Sequence, residues 1–421
     1  MMNSNSSKFF NRFTGKYIRI SVLSLIILLC IYLAIDYMGP DTIKLKPDIA
    51  FGMGCMRAGE LIVQEYDKKG NLWASRGMII YKLEKGDDKF IKVAHVPTGL
   101  NLFWFRNFTF VRKLTVRPEC IEMVTTGKGD ICALSAGKLW HMPQGAKRFK
   151  ETIRIRHYGI GDQGVRNDGI VSINDSILYF AEYFRNSSKE DVHVLQSKDG
   201  GVTWHTVYKF KPGQVRHIHS VQHDSYTGKN WLCTGDADSE CMIAWTEDSF
   251  RNITPIGSGT QIYRACQLVF AEDNIYWGTD TGRDKIPGIY KWNRKTLKLI
   301  KLIEVQGAVF FGTRLNKGTI IFSTNREGMP NEKDDKTRIF VLLQNDSVAT
   351  IEAGTWKSKK PGFRFKFAQL RFQRDQGSSS LAVTCLNQKE IPDGDLILIS
   401  EDTLIKAARL NSKISLHPQL K

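Results

Sequence analysis

Short apolar segments recur between polar loops along the chain, and their spacing predicts the fold. The segments are centred on Tyr81, Trp140, Leu195, Trp245, Lys291, Val341 and Ile399. The intervals between these centres are 59, 55, 50, 46, 50 and 58 residues, which is typical of one four-stranded propeller blade per interval. No sustained helical period occurs beyond the N-terminal segment, so few helices are expected. The pattern therefore predicts an all-β, seven-bladed β-propeller, with six or eight blades as the alternatives.

The N-terminal segment has a different pattern. The apolar run Ile20–Ile35 contains no charged residue and, with its flanks, reaches the length of about 20 residues that a helix needs to cross a bilayer. Basic residues precede the run and acidic residues follow it: Lys8, Arg12, Lys16 and Arg19, then Asp36 and Asp41. This asymmetry predicts an uncleaved signal anchor with a cytoplasmic N-terminus and the remaining chain outside. A cleaved signal peptide is the alternative, although LAIDYMGP offers a poor cleavage site.

Together these patterns divide the chain into five parts. They are a cytoplasmic tail at 1–17, a transmembrane anchor at 18–38, a linker at 39–50, a propeller domain at 51–412 and a C-terminal tail at 413–421. The predicted localisation is the cell membrane, with the propeller on the extracytoplasmic side.

One turn after the strand-like segment DVHVLQ has a specific composition. Ser197, Asp199, Gly201 and Trp204 follow one another at offsets of 0, 2, 4 and 7 residues. Ser and Asp side chains can accept hydrogen bonds from backbone NH groups in a turn, and glycine readily adopts a positive φ. The tryptophan is expected to pack between neighbouring blades. The spacing S-x-D-x-G-x-x-W resembles the Asp-box of sialidase-like and BNR-repeat propellers, where it forms the hairpin between the third and fourth strands.

A second turn matches this spacing only in part. The segment TEDSFRNI keeps a hydroxyl at Thr246 and the carboxylate of Asp248, but has Phe250 and Ile253 at the glycine and tryptophan positions. The region 166–281 also looks like the central part of microbial proteins labelled BNR-repeat or glycosyl-hydrolase-like. This resemblance implies a structural role for the Asp-box, on the face opposite the usual ligand site, and does not by itself imply an enzyme.

Charge and cysteine content restrict the partners. The formal charge of +17 and the pI of about 9.4 favour an anionic partner. No RNP, zinc-finger or helix-turn-helix signature occurs, so a nucleic-acid partner is not expected. The eight cysteines are spread singly without a C-x-x-C motif, so no structural zinc site is expected. Cys233 and Cys241 flank one loop and either pair across it or remain small buried side chains.

The predicted ligand site lies at one mouth of the propeller. Loops between blades and loops between second and third strands meet there. The substrate-binding candidates in these loops are Arg166, His217, His219, Tyr263, Arg264, Arg283, Arg326 and Arg364. The same loops also contain Glu182 and Tyr183. Arginine pairs with carboxylate or sulfate, and aromatic rings stack on sugars, so this set is suited to an acidic glycan. The alternative is that these charges form salt bridges between blades.

Catalytic roles are less determined by the sequence. The candidates are His219, Asp236, Asp238, Asp280 and Glu327. Two of the carboxylates could serve a glycoside hydrolase, whereas His219, Tyr263 and Arg264 have the residue types of a polysaccharide lyase. The arginine motif and the Tyr–Glu pair of sialidases cannot be assigned, because the nearest match to the motif is VRP at 116–118.

A metal site is a further hypothesis for the same loops. His217 and His219 lie on one side of a strand, and with Asp236 or Asp238 they offer transition-metal ligands. Paired histidines more often bond to the backbone or line a pocket, so no metal and no cofactor is assigned. The segment DADSE resembles part of a calcium loop but lacks its glycine and distant glutamate.

These observations predict a membrane-anchored propeller that recognises an acidic or amino-sugar-containing glycan. Hydrolysis or elimination of that glycan is an open extension of this function. The alternative is a non-catalytic scaffold that binds other envelope or glycan-assembly proteins.

Overall fold

The computed structural model describes residues 22, 24–97, 108–109, 111, 121–157, 168–281, 285–343, 346–357, 367–374 and 376–415. Within these residues, thirty strands form seven antiparallel sheets. The first strand of each sheet contacts the first strands of the two neighbouring sheets, so the sheets close into a ring. The prediction of a seven-bladed β-propeller is therefore confirmed, and all seven predicted segment centres lie in third strands.

The first three blades follow one another along the chain from residue 62 to residue 210. Blade 1 contains β4 (Ile62–Tyr66), β5 (Leu72–Arg76), β6 (Ile79–Leu83) and β7 (Lys89–His95), with β1 (Thr42–Lys44) added at its outer edge. Blade 2 contains β8 (Glu122–Thr125), β9 (Ile131–Ser135), β10 (Lys138–Met142) and β11 (Lys150–Arg154). Blade 3 contains β12 (Ile170–Ser172), β13 (Leu178–Ala181), β14 (Val192–Ser197) and β15 (His205–Phe210).

Blades 4 to 6 have the same four-stranded order. Blade 4 contains β16 (His217–His223), β17 (Asn230–Gly235), β18 (Met242–Thr246) and β19 (Thr254–Ser258). Blade 5 contains β20 (Ala265–Phe270), β21 (Asn274–Thr279), β22 (Gly288–Asn293) and β23 (Leu299–Glu304). Blade 6 contains β24 (Val309–Arg314), β25 (Ile320–Thr324), β26 (Lys336–Leu342) and β27 (Val348–Thr355).

Blade 7 joins the two ends of the propeller. Its strand order is β28 (Gln369–Phe372), β29 (Ser380–Leu386), β30 (Leu396–Ser400), β3 (Met53–Ala58) and β2 (Lys46–Ala50). Strand β3 pairs antiparallel with β30, with Arg57 opposite Ile397. The segment expected to be a linker at 39–50 thus supplies β1 and β2. Strands β1 and β2 lie at the outer edges of their sheets, where backbone pairing holds a strand that has few apolar residues. The hydrophobic pattern therefore did not reveal them.

The two faces of the ring carry different connections. We call the face where the inner strands begin the upper face, and the face where they end the lower face. Because the strands are antiparallel, the connections between blades and those between second and third strands lie at the upper face. The hairpins between third and fourth strands lie at the lower face.

The lower-face hairpin after β14 has the geometry that its residues predict. Ser197 Oγ accepts a hydrogen bond from Gly201 N at 2.8 Å, and Asp199 Oδ1 accepts one from Thr203 N at 2.8 Å. Gly201 has a φ of +100°. Trp204 is buried in a cluster with side chains of blades 2 and 3, so it packs between blades as expected.

The hairpin after β18 uses the same bonds without the glycine and the tryptophan. Thr246 Oγ1 accepts from Phe250 N at 3.1 Å, and Asp248 Oδ1 accepts from Asn252 N at 3.0 Å. Phe250 takes the left-handed backbone position with a φ of +65°. Its ring is fully buried and contacts Tyr179 edge-on, with the centroids 5.0 Å apart.

Two α-helices lie at the ends of the described chain. Helix α1 covers 24–38, and its apolar side chains are exposed, as at Leu25, Leu28 and Ile35. The helix ends against blade 1, where Asp36 accepts a hydrogen bond from Thr109 N at 2.7 Å. Helix α2 (Glu401–Ser415) covers blade 6 and blade 7 and extends past the boundary predicted at residue 412. In the described part of the chain, no helix combines the length and apolar character that a membrane crossing needs.

The described cysteines are all free thiols. Cys233 and Cys241 therefore do not form a disulfide across their loop. Both side chains are buried, and burial raises the pKa of the Cys233 thiol to about 12. Cys233 packs in the hydrophobic cluster of blades 4 and 5, whereas Cys241 Sγ donates to the carbonyl oxygen of Ala237 at 3.2 Å.

Candidate functional site

Five of the predicted site residues converge at the upper face of blades 4 and 5. His217 and His219 lie at the start of β16, and Asp236 directly follows β17. Arg264 precedes β20, and Asp280 directly follows β21. Inner-strand starts and second-strand ends meet at this face, which is why residues distant in sequence become neighbours. We refer to these five residues as the upper cluster.

The two histidines of the upper cluster are buried and face each other. Their exposed fractions are 4% for His217 and 0% for His219. The Nε2 atoms of the two rings lie 3.2 Å apart. The Nδ1 atom of His217 lies 3.2 Å from the carbonyl oxygen of Phe184, and Nδ1 of His219 lies 3.0 Å from that of Ala265. The histidines therefore connect blades 3, 4 and 5.

A β-bulge and a glycine position His219. Opposite β17, Ile218 pairs with Thr234 and Ser220 pairs with Cys233, so His219 is the extra residue of the bulge. Bulges redirect side chains and are frequent beside functional sites. A Cβ atom at Gly235 would lie 2.9 Å from Arg264 Cγ and 3.2 Å from His219 Cε1. Only glycine at this position leaves both side chains where they are.

Asp236 is the central carboxylate of the upper cluster. Its Oδ1 accepts a hydrogen bond from Arg264 Nη2 at 2.8 Å, and its Oδ2 accepts one from Arg216 Nη1 at 3.0 Å. Each Nε2 of the two histidines lies 3.6 Å from one of its oxygens. Burial alone would raise the pKa of this carboxyl. The hydrogen bonds and charges of the two histidines lower it by a larger amount, so the pKa lies well below its ordinary value.

Asp280 extends the upper cluster into blade 5. Its Oδ2 lies 3.4 Å from Arg264 Nη2 and accepts a hydrogen bond from Cys266 Sγ at 3.4 Å. Asp280 is buried, with an exposed fraction of 5%. Arg264 thus bridges the carboxylates of two neighbouring blades.

Blade 3 supplies an aromatic wall. The ring of Tyr183 lies against His217, with the centroids 4.1 Å apart and the planes tilted by 36°. The preceding residue, Glu182, is buried and pairs with Arg156 of blade 2, with Oε2 and Nη2 2.7 Å apart. Sequence reasoning did not assign Arg156 or Arg216 to the site. The sequence could have indicated Arg216, because it directly precedes His217 and His219.

The other candidates that the structure describes contact residues outside the upper cluster. Tyr263 packs against Trp277, and a Cβ atom at Gly257 would overlap its ring. Asp238 accepts a hydrogen bond from Gln261 Nε2 at 2.8 Å. In blade 6, Arg326 is fully buried and pairs with Asp334 at 2.9 Å, and the backbone NH of Glu327 donates to Glu332. Arg166, Arg283 and Arg364 lie outside the described residues.

A separate cavity occupies the lower half of the central channel. It has a volume of about 400 Å³ and is lined by residues of all seven blades, including Glu65, Gln222, Arg314 and Arg374. Asp168 also lines it and is buried, and this burial raises its pKa to about 7. None of the predicted site residues within the described part of the chain lines this cavity.

Comparison with known proteins identifies the fold but no family. No protein-family model matches the chain, and no curated protein matches it in sequence. An oligogalacturonate lyase in complex with manganese is similar in structure, with a TM-score of 0.53 and 9% identity over 86% of this chain and 98% of that chain. An oligogalacturonate lyase of Vibrio parahaemolyticus has a TM-score of 0.53 and 10% identity over 86% and 99%. YCF48 bound to a D1 peptide has a TM-score of 0.50 and 9% identity over 86% and 95%.

At these identities the similarity extends to the propeller fold alone. The resemblance to BNR-repeat proteins stays a prediction, because the hairpin geometry is found but no family model is matched. The upper cluster offers two imidazoles, two carboxylates and one guanidinium group, and the adjacent Arg216 and Tyr183 add a second guanidinium and an aromatic ring. Such a set can bind an anionic group, hold a cation or move a proton.

Proposed function

We propose that this protein binds an acidic glycan at the upper cluster. The observation that carries the proposal is the convergence of Arg216 and Arg264 on one point beside the ring of Tyr183. Each guanidinium donates to a different oxygen of Asp236, at 3.0 Å and 2.8 Å. The two cations therefore have fixed orientations before a ligand arrives.

Arg216 is the residue best placed to reach a ligand. Its side chain is 41% exposed, and Nη1 is the nitrogen that donates to Asp236. A guanidinium fork that is satisfied on one side can bind a carboxylate or sulfate on the other. Aromatic faces stack on sugar rings, which is the role assigned to Tyr183. The oligogalacturonate lyases of similar fold act, by name, on a uronate oligomer, which is consistent with an acidic glycan here.

Binding is tested on an array of uronate-containing, sulfated, amino-sugar and neutral glycans. We expect the wild-type chain to retain an acidic class and Arg216→Gln and Arg264→Gln to lose at least about tenfold in affinity, or about 1.4 kcal/mol each. Arg154→Gln is the matched control, because Arg154 is a 76% exposed arginine on the outer strand of blade 2. Circular dichroism checks that each variant is folded. Equal retention by all variants would contradict the proposal and favour a protein-binding scaffold.

Elimination chemistry is a second candidate function at the same site. A lyase needs a base near the sugar and a cation that neutralises the uronate carboxylate. Tyr183 and His219 lie beside the two arginines, with the two rings 6.4 Å apart. Formation of an unsaturated uronate, followed by its ultraviolet absorbance, would distinguish cleavage from binding alone.

We also propose that the N-terminal segment anchors the propeller to a membrane. The uncharged run Ile20–Ile35 and the exposed side chains of Leu25 and Leu28 support this proposal. We expect the full chain to sediment with membranes after an alkaline wash and the double variant Leu25→Arg, Leu28→Arg to be released. Ile286→Arg is the control, since Ile286 is a 59% exposed residue of blade 5. Release of the wild-type chain would contradict an anchor.

A further inference from the structure

The tautomers of His217 and His219 are set by the backbone. The Nδ1 atoms face the carbonyl oxygens of Phe184 and Ala265 at 3.2 Å and 3.0 Å. A carbonyl oxygen can only accept a hydrogen bond, so each Nδ1 must carry the hydrogen. In a neutral imidazole the other nitrogen then holds a lone pair. In that tautomer the two Nε2 atoms face each other across 3.2 Å, and either a shared proton or a metal ion between them removes the repulsion of their lone pairs.

The spacing of these atoms fits a metal ion. Zinc lies about 2.0–2.1 Å from histidine nitrogens, so two imidazoles on one tetrahedral ion place their nitrogens about 3.3–3.4 Å apart. The observed separation is 3.2 Å. The carboxylate of Asp236 completes the donor set, with Oδ2 3.6 Å from Nε2 of His217 and Oδ1 3.6 Å from Nε2 of His219. One donor atom from each of the three residues lies within 4.8 Å of the other two, so all three can reach a single ion.

We propose that His217, His219 and Asp236 bind one divalent transition-metal ion, with zinc as the preferred metal. The donor set is two neutral imidazoles and one carboxylate, which suits first-row ions and leaves positions open for an external ligand. The carbonyl oxygens of Phe184 and Ala265 hold the imidazoles in the metal-binding tautomer, as outer-shell acceptors do in known sites. The proposal does not depend on the glycan proposal, because it concerns only the metal.

A neighbouring donor group does not serve this purpose as well. His219, Cys266 and Asp280 also lie close together. That group would have to use Nδ1 of His219, which lies 3.9 Å from Cys266 Sγ and already faces the carbonyl of Ala265. The group with Asp236 uses the nitrogens that the backbone leaves available.

The two arginines adjust the properties of the metal site. Arg216 and Arg264 each donate to one oxygen of Asp236, and a carboxylate oxygen has a second lone pair that remains for the ion. Their positive charges lower the affinity for a metal cation, yet they also attract an anion to its open position. The site should therefore prefer a carboxylate or phosphate oxygen as the external ligand.

The test measures metal binding to the full-length chain after removal of bound metal with EDTA. Cobalt(II) is the spectroscopic probe, since its visible absorption reports the coordination geometry, and zinc is added as a competitor. We expect one equivalent of cobalt to bind and zinc to displace it. His217→Gln, His219→Gln and Asp236→Asn should each weaken cobalt binding at least about tenfold.

His141→Gln provides the matched control. His141 is also a buried histidine near a carboxylate, with Nε2 3.4 Å from Asp130 Oδ2 in blade 2, and its substitution should leave the stoichiometry at one. Thermal melting followed by circular dichroism checks the fold, and Asp236→Asn keeps the side-chain shape. Failure of the stripped wild-type chain to bind cobalt or zinc would overturn the proposal and indicate that the histidines share a proton. Undiminished binding in His219→Gln would also overturn it.

Discussion

The lower-face hairpins and the upper cluster differ in how their polar groups are brought together. At the lower face, Ser197 and Asp199 bond to backbone groups within the next four residues. At the upper face, Asp236 bonds to Arg216 and Arg264, which lie 20 and 28 residues away in sequence. The first region satisfies its polar groups locally and fixes a turn. The second depends on the closed ring and brings charged groups of neighbouring blades together.

The largest expected loss of stability concerns Gly201 in the lower-face hairpin after β14. At Gly201, a Cβ atom would overlap Cys132 Sγ, and the φ of +100° strains any other residue. We expect Gly201→Ala to lower the free energy of unfolding by roughly 2–5 kcal/mol, as measured by urea denaturation. Gly213→Ala is the control, because Gly213 has a φ of +86° but no atom within 4 Å of the added Cβ. Equal losses in both variants would show that contact with Cys132 is unimportant.

Gly235→Ala, at the upper face, should weaken ligand binding more than it lowers stability. The added Cβ displaces Arg264 and His219, but the backbone at this position is not left-handed. We expect the affinity for the acidic glycan to fall at least about tenfold, or about 1.4 kcal/mol, with a smaller loss of stability than in Gly201→Ala. Glycan binding and urea denaturation are measured on the same preparations. Unchanged affinity would indicate that the upper cluster is not the binding site.

The two lower-face hairpins should respond alike to loss of the aspartate. Asp199→Ala removes the acceptor of four hydrogen bonds in its turn, and Asp248→Ala removes the acceptor of three. We expect each to cost about 1 kcal/mol of unfolding free energy without affecting ligand binding. A much smaller loss for Asp248→Ala would mean that the buried Phe250, rather than the hydroxyl–carboxylate bonds, holds the second turn.

The last comparison concerns the channel between the two faces. Burial raises the pKa of Asp168 to about 7 from its ordinary value of 3.8. The folded state therefore binds a proton more tightly than the unfolded chain, and this contribution to stability is lost as the pH rises towards and through 7. Asp168→Asn should reduce the fall in stability between pH 5 and pH 8. Because the pKa of Glu65 is also raised by burial, stability should still depend weakly on pH in Asp168→Asn. An unchanged dependence of stability on pH in this variant would contradict the assignment of the raised pKa to Asp168.

The sequence predicted what local patterns determine. The blade number follows from the recurrence of third strands, and the Ser197 turn follows from residues within eight positions of one another. Closure of the ring by β2 and β3 was not predicted, because strands at a sheet edge carry a weak hydrophobic pattern.

The upper cluster was predicted only in part. Propeller topology grouped His219, Arg264 and Asp280 correctly, since inner-strand starts and second-strand ends must meet. The packing role of Tyr263 depends on the missing side chain at Gly257, and the orientation of His219 depends on a bulge. The contribution of Arg216 depends on which side of Asp236 it reaches. These are three-dimensional relations that residue spacing does not encode.

The most direct test of the account is a crystal structure of the full chain with a uronate oligosaccharide. The expected result is a sugar carboxylate within hydrogen-bond distance of Arg216 and Arg264, with a ring stacked near Tyr183. An oligosaccharide bound instead in the lower cavity beside Arg374, with the upper cluster unoccupied, would contradict the assignment of the upper face as the ligand site.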